Sequence, residues 1–241
     1  HSAPAMHEAY PEGKFPDWEQ QAIRKLAAGI REVAGRLELV RLGTGWGQAD
    51  IGHDRRFVQA DGSVRMLWRN STRIITYPVD PSVGVLRVDN ARGQPLGILV
   101  NYACHPVVFT ADNDFYSADY PGAMRRYVEK SISGSPLCFF LQGAAGNINP
   151  YFDKTYLEED AAEMMRLTGE RLGREVVRVA RQIQTQSIPQ AEIAYLTDTL
   201  NFRLRWDPQD VRKHLSAVLT PDHVEAATRN LRTVFEVPVS T

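Results

Sequence analysis

Short apolar runs bounded by turn residues are the clearest pattern along this chain. Val83–Asp89 and Leu96–Ala103 are two such runs, and the polar segment Asn90–Pro95 between them is typical of a hairpin connection. Pro136–Leu141 is a third run, apolar throughout, as in a buried strand. The proline after His105 cannot donate to a strand ladder and disfavours helix before it, so the second strand should end there.

Longer segments show the period of amphipathic helices. A helix is predicted from Pro16, with one apolar face formed by five residues: Ile23, Leu26, Ile30, Val33 and Leu37. Leu157–Ile183 predicts a long helix, and Pro121 is typical of a first helical residue. A strand is predicted at Leu39–Thr44, followed by a flexible stretch with Gly43, Gly45, Gly47 and Gly52 and by loops with short strands over 58–80. Near the end of the chain, a strand is predicted at Ala191–Trp206. Two short closing helices are predicted to begin at Asp207-Pro208 and Thr220-Pro221. Strands that alternate with helices indicate an α/β fold with a mixed central β-sheet packed by helices.

Composition limits the function classes. Hydrophobic residues make up 43% of the 241 residues and charged residues 24%, as in ordinary soluble globular proteins. The 28 basic and 29 acidic residues give a net charge of -1 without a basic block, so no nucleic acid partner is expected. Neither a transmembrane run nor a signal peptide is recognised. The chain opens at His1 and ends at Thr241 without a boundary signal, and we interpret it as an internal part of a longer protein.

The two cysteines, Cys104 and Cys138, both lie inside apolar runs. Buried free thiols that act as small hydrophobic groups are therefore favoured. A disulfide stays open as an alternative if the two strands are neighbours.

Candidate chemistry concentrates at predicted turns. His1-Ser2-Ala3-Pro4 stands at the front, Cys104-His105-Pro106 at a strand end, and a small-residue loop at Gly143–Pro150. Histidines on separate loops can converge on zinc, which binds imidazole nitrogen, although no His-Glu-x-x-His signal is present. The Gly143–Pro150 loop can align backbone amides for an oxyanion or form a tight turn, and the sequence favours neither.

Five segments in series resemble motifs of the neutral (alkaline, non-lysosomal) ceramidase family. They are His1-Ser2-Ala3-Pro4, similar to the end of the family's Thr-His-Thr-His-Ser-Gly-Pro motif; Gly52-His53-Asp54-Arg55-Arg56, similar to its Asn-Arg element; Asn101–Pro106, similar to its strand ending in His-Pro; Ser117-Ala118-Asp119-Tyr120-Pro121-Gly122, similar to its Ser-Ser/Ala-Asp segment; and Gln142–Pro150, similar to its Gln-x-x-x-Gly-Asp-Val-Ser-Pro loop. The resemblance covers nearly the whole chain in the family's order. It implies that residues 1–241 are part of a single ceramidase-like catalytic domain, truncated at both ends.

The resemblance implies a zinc amidohydrolase that cleaves the N-acyl amide of ceramide or a related N-acyl lipid. It assigns His105 as a Zn²⁺ ligand and His1 to the contact with the substrate carbonyl or the tetrahedral intermediate. The family's other ligands would be a histidine two residues before His1 and a glutamate and a tyrosine beyond Thr241, so this segment is expected to be inactive by itself. Arg55 is a candidate for hydrogen bonding to developing negative charge, with a structural salt bridge as its alternative. Peripheral membrane contact and a secreted or periplasmic location are further family expectations.

Three positions depart from the family's pattern. Asp54 replaces the usual asparagine, Asn147 an aspartate, and Asn149 the serine that is important for activity. Asn149 can donate a hydrogen bond that polarises a carbonyl group, but it cannot be an acyl nucleophile. Two alternatives therefore stay open. One is a catalytically inactive relative with a binding role, and the other is an enzyme with Cys104 as nucleophile, which the opposite directions of Cys104 and His105 on a strand disfavour.

Overall fold

The computed structural model describes residues 17–109, 113, 116–189, 196–203, 207–228 and 234–240. These residues contain five α-helices: α1 (Asp17–Ala34), α2 (Asp119–Ser131), α3 (Ala161–Gln182), α4 (Pro208–Ser216) and α5 (Pro221–Thr228). They also contain ten strands: β1 (Val40–Gln48), β2 (Gly52–Asp54), β3 (Arg56–Val58), β4 (Val64–Met66), β5 (Ser82–Asn90), β6 (Pro95–Tyr102), β7 (Leu137–Gln142), β8 (Ile148–Pro150), β9 (Thr197–Arg203) and β10 (Val234–Ser240). The chain divides into two units, His1–Ile188 and Pro189–Thr241. The assignment of 1–241 to a single catalytic domain stays a prediction.

A four-stranded sheet in the order β1-β5-β6-β7 forms the centre of the first unit. β1, β5 and β6 are antiparallel neighbours, and β6 and β7 run parallel. A parallel pair needs a crossover connection, and α2 supplies it between β6 and β7. The predicted α/β fold with a mixed central sheet packed by helices is therefore confirmed.

One face of this sheet is covered by α2 and α3, which also pack against each other. The core consists of buried side chains from the strands and from the inner faces of both helices: Val83, Val85, Ile98, Val100, Tyr102, Met124, Val128, Cys138, Leu172, Val176 and Val179. Both cysteines are buried and free, as their apolar runs predict. No helix among the described residues has the length and apolar character that crossing a membrane requires.

β1 is longer than predicted because its glycines are packing positions. The sequence predicts a flexible stretch here, but the strand runs unbroken through Gly43, Gly45 and Gly47. A Cβ atom on Gly43 would lie 2.5 Å from Cγ2 of Ile183, and one on Gly45 would lie 2.9 Å from Cγ1 of Val179. The missing side chains let the last turns of α3 approach the strand closely. The glycine repeat is therefore a helix–sheet contact.

One helix boundary and one strand also differ from the predictions. The long helix begins at Ala161, because a 3-10 turn at Leu157–Glu159 and a left-handed Asp160 precede it. β10 pairs antiparallel with β9, although Pro238 interrupts its strand pattern and the segment is not predicted as a strand. The predicted strand Ala191–Trp206 is observed as β9, and residues 191–195 and 204–206 lie outside the described ranges.

The predicted apolar face of α1 is exposed. Its helical period is confirmed, but Ile23, Leu26, Ile30 and Val33 each expose more than half of their surface. Among the described residues, this face is therefore in solvent instead of in the core.

Candidate functional site

The site is built where two short strands meet the end of β6. β2 and β8 pair antiparallel. The backbone N–H of Arg55 donates to the Asn147 carbonyl at 2.8 Å, and the N–H of His105 donates to the Ile148 carbonyl at 2.9 Å. Backbone hydrogen bonds thereby join three segments that are far apart in sequence.

The beginning of α2 adds a fourth segment. Tyr120 Oη donates to the Cys104 carbonyl at 2.6 Å, and the Phe109 N–H donates to Asp119 Oδ2 at 3.1 Å. Four of the five segments that carry the family resemblance therefore meet around His105. The fifth, which contains His1, lies outside the described residues.

His105 is half-buried beside an open cleft of 820 Å³. The cleft combines apolar and polar side chains, among them Pro106, Val107, Phe109, Ser117, Asp119 and Gln142. Burial, followed by the charge of Arg55, lowers the pKa of the His105 imidazole. The ring is therefore largely neutral at pH 7 and keeps a nitrogen lone pair for a metal ion or a proton.

The Arg55 guanidinium is held by a carbonyl and an aromatic ring. Nη2 donates to the Gly146 carbonyl at 3.0 Å, and Cζ lies 5.1 Å from the centre of the Trp68 ring. Lys154 Nζ lies 3.9 Å from the centre of the same ring. Within the described part of the chain, Arg55 forms no ion pair and its buried Nε has no hydrogen-bond partner. The salt-bridge alternative is therefore not realised among these residues, and the charge of Arg55 reaches His105.

Asn149 and Asp153 form a buried pair behind the loop. Asn149 is 1% exposed, and its Nδ2 donates to Asp153 Oδ2 at 2.5 Å. Asp153 is fully buried, and burial raises the pKa of its carboxyl group to about 6. The Oδ1 atoms of both residues lack a hydrogen-bond partner among the described residues. Sequence reasoning missed Asp153, whose only local signal is its place four residues after Asn149.

Two departures from the family's pattern form a bonded pair. Asn147 Nδ2 donates to Asp54 Oδ2 at 2.6 Å, while Asp54 Oδ1 accepts the Arg56 N–H at 2.8 Å. The resemblance places an asparagine at position 54 and an aspartate at position 147, the reverse of this chain. In this chain the two departures therefore bond to each other, as an amide donor and a carboxylate acceptor.

His53 is a second histidine near the site, but it is buried between strands. Its Nε2 lies 2.8 Å from the Leu67 carbonyl and therefore carries a proton, and burial lowers the pKa of the ring. The Tyr151 ring stacks on it with centroids 5.6 Å apart. These contacts make His53 a packing residue of the β2–β8 pair.

The described residues supply only part of a metal site. Within the described ranges, no group of three or more histidine, cysteine, aspartate or glutamate side chains could hold a metal ion. His105 fits one position of a zinc site, because its imidazole is neutral and half-exposed. Cys104 is fully buried, and burial raises the pKa of its thiol far above the usual range. A thiolate nucleophile at Cys104 is therefore disfavoured.

Comparison with solved structures gives a ceramidase-like fold. The chain is similar to neutral ceramidase from Pseudomonas aeruginosa, with a TM-score of 0.54 and 17% identity over 88% of this chain and 39% of that chain. It is also similar to a ceramidase complexed with C2, with a TM-score of 0.48 and 20% identity over 71% of this chain and 27% of that chain. No family model and no curated protein sequence matches the chain. The protein thus has an α/β fold like that of the Pseudomonas aeruginosa neutral ceramidase, and it spans less than half of the length of both neighbours.

Proposed function

We propose that the full-length protein is a zinc-dependent amidohydrolase that cleaves the N-acyl amide of ceramide or a related N-acyl lipid. The observation that carries this proposal is the meeting of four motif segments around His105, within a fold shared with a ceramidase. A shared fold can host many chemistries, so the proposal depends on the site.

His105 is the proposed zinc ligand in this part of the chain. Its ring is neutral and half-exposed at the cleft, and its backbone is fixed by the Ile148 carbonyl. A bound zinc ion supplies a polarised carbonyl group and a water molecule of lowered pKa, which are the means of amide hydrolysis at neutral pH.

Arg55, Asn149 and His1 are proposed to stabilise the negative charge that develops on the amide oxygen. The positive charge of the Arg55 guanidinium lowers the pKa of the His105 ring, so this charge acts on groups beside the cleft. The role of Asn149 follows from the family resemblance, because its side chain is buried and one N–H is bonded to Asp153; the second N–H is the donor that the proposal uses. The role of His1 follows from the family resemblance.

The cleft is consistent with an N-acyl substrate. Apolar side chains such as Val107 and Phe109 can contact an acyl chain, while Ser117 and Gln142 can bond to the amide and to hydroxyl groups. For such a substrate we also propose peripheral membrane contact and a secreted or periplasmic location.

A second candidate is a family relative that has lost catalysis and keeps a binding role. One observation favours it: Asn149 is 1% exposed, and its amide group is bonded to Asp153 instead of facing the cleft. The buried side chain can then stabilise the loop without contacting a substrate.

Zinc content and fatty acid release from N-acylsphingosine distinguish a zinc amidohydrolase from a thiol enzyme and from a protein with a binding role. The full-length wild type is compared with His105→Ala, Cys104→Ala and the control His214→Ala, an exposed histidine on α4. We expect stoichiometric zinc and turnover in the wild type, loss of both in His105→Ala, and retention of both in the other two variants. Metal-free turnover that Cys104→Ala abolishes would indicate a thiol enzyme, and the absence of both zinc and turnover in the wild type would leave the binding role.

A further inference from the structure

We propose that Tyr120 is a positioning residue, which acts with Asp119 to hold His105 in the orientation that presents its imidazole to the cleft. Neither residue needs to touch the substrate, because each acts through the backbone of the His105 segment. The proposal rests on the function proposed above and adds residues to which that function assigns no role.

The peptide unit between Cys104 and His105 is bonded at both of its polar ends. Its carbonyl oxygen accepts from Tyr120 Oη at 2.6 Å, and its N–H donates to the Ile148 carbonyl at 2.9 Å. One partner belongs to α2 and the other to β8. Because a peptide unit is planar, bonds at both ends fix its rotation about the chain. The direction in which the His105 side chain leaves the backbone is set from that plane.

The segment that follows His105 is bonded as well. The Val107 N–H donates to the His105 carbonyl at 3.1 Å and closes a three-residue turn around Pro106. The ring of a proline holds φ at about −65°, which suits such a turn. The Phe109 N–H then donates to Asp119 Oδ2 at 3.1 Å, so the start of α2 holds the segment on both sides of the histidine.

Tyr120 is suited to this task because it is itself rigid. Its side chain has no exposed surface, and its ring packs edge-on against Phe140 with centroids 5.9 Å apart. Burial raises the pKa of its hydroxyl group well above the usual range, so the proton that it donates is retained. Its own backbone N–H donates to Asp119 Oδ1 at 2.7 Å. A buried donor of this kind fixes a carbonyl more firmly than exchangeable water does.

A matched pair of substitutions isolates the hydroxyl group. Tyr120→Phe removes the bond to the Cys104 carbonyl. Tyr102→Phe is the control, because Tyr102 is equally buried and donates to the Ala49 carbonyl at 2.8 Å, outside the His105 segment. Asp119→Asn is a second test variant, since it removes a carboxylate oxygen that accepts the Phe109 N–H.

The measurements on the full-length protein are zinc affinity and backbone amide exchange. We expect Tyr120→Phe to weaken zinc binding roughly fivefold, the effect of one lost hydrogen bond that holds the backbone of the ligand. We expect exchange of the His105 amide to rise roughly fivefold, which corresponds to one lost hydrogen bond. Asp119→Asn should act in the same direction, with faster exchange at Phe109, and Tyr102→Phe should change both quantities less than about twofold.

The outcomes distinguish this proposal from the proposed function. If zinc binding depends on His105 but Tyr120→Phe and Tyr102→Phe change it equally, the positioning role is wrong and the zinc site stands. If the wild type binds no zinc through His105, the proposed function fails, and amide exchange alone decides the positioning role. Unchanged exchange at His105 in Tyr120→Phe would then overturn it.

Discussion

At the scale of single residues, the buried carboxyl group of Asp153 couples stability to pH. Burial raises its pKa from 3.8 to about 6, so in this range the folded state keeps a proton that the unfolded state releases. The stability that this group contributes is present at low pH and is lost as the pH rises through about 6. We expect the stability of Asp153→Asn relative to the wild type to increase by up to about 3 kcal/mol from pH 4 to pH 7 in urea unfolding.

The control for this prediction is Asp89→Asn. Asp89 is also buried, but it is paired with Arg87 at 2.8 Å and accepts from Thr185. Asp89→Asn should lower the stability at pH 7, because it breaks this ion pair. Asp153→Asn should instead be more stable relative to the wild type at pH 7 than at pH 4. A difference between Asp153→Asn and the wild type that stays constant across this pH range would contradict the raised pKa.

Asn70 is a second residue whose burial has a measurable consequence. Its side chain accepts the Ile74 N–H at 2.7 Å and donates to the Ile74 carbonyl at 2.8 Å. Asn70→Ala removes both bonds and leaves a cavity at a buried position, and we expect a loss of about 2–3 kcal/mol in the free energy of unfolding. Asn90→Ala removes two bonds to backbone N–H groups at an exposed turn and should cost only about 1 kcal/mol, because water replaces them. Equal losses in the two variants would rule out burial as the cause.

The residues of the site differ in how far the sequence could predict them. His105 stands out locally, because an apolar run ends in a histidine before a proline. The Asn147–Asp54 bond connects positions 93 residues apart, so no local pattern contains it. Asp153 acquires its raised pKa from burial by the fold, which its sequence neighbours do not specify.

At the scale of elements, two helical glycines are expected to respond to alanine in opposite ways. A Cβ atom on Gly169 of α3 would lie 2.5 Å from the Tyr120 carbonyl oxygen and 2.6 Å from Ala123 Cβ. Gly169→Ala should therefore cost about 2 kcal/mol through overpacking of α3 against α2, despite the better helix propensity of alanine. Gly29 of α1 has nothing within 4 Å, so Gly29→Ala should stabilise the protein by about 0.5–1 kcal/mol. Urea unfolding measures both, and a stabilised Gly169→Ala variant would mean that the two helices pack less closely.

The strand β7 lies at the edge of the sheet and carries exposed apolar residues. Leu137, Phe139 and Leu141 expose 62%, 49% and 47% of their surface on the side opposite the helices. Edge strands with such side chains favour association through strand pairing. We expect the triple substitution of these residues by Thr to reduce self-association in light scattering without lowering the melting temperature. Unchanged association would show that this edge is not responsible.

Element types were more predictable than element contacts. The period of α1 and the apolar run of β7 gave the correct structure, since both are local. The sequence predicts that the glycine repeat of β1 is flexible. Its packing role depends on Val179 and Ile183, which lie far away in the sequence and contact the repeat only in the folded chain. The exposed face of α1 is a similar case, since a hydrophobic stripe specifies a helix but not its partner.

At the scale of the whole molecule, the order of strands and helices was sufficient for the fold class. Alternating elements with one hairpin indicate a mixed α/β sheet, and the structure has one. The order of elements was not sufficient to predict the site, because its segments are brought together by hydrogen bonds of the folded chain. These segments are 52–56, 101–106, 117–122 and 142–150. The family resemblance anticipated the members of this group, and the structure supplies the bonds between them.

The central claim is that the cleft at His105 is a site of amide hydrolysis. The most direct measurement is the rate of fatty acid release from N-acylsphingosine by the full-length wild type and by His105→Ala in the presence of zinc. We predict that kcat/KM falls by more than roughly 100-fold in the variant, since loss of a ligand should exceed the loss of an outer partner. An undiminished rate in His105→Ala, or no release by the wild type, would contradict the claim.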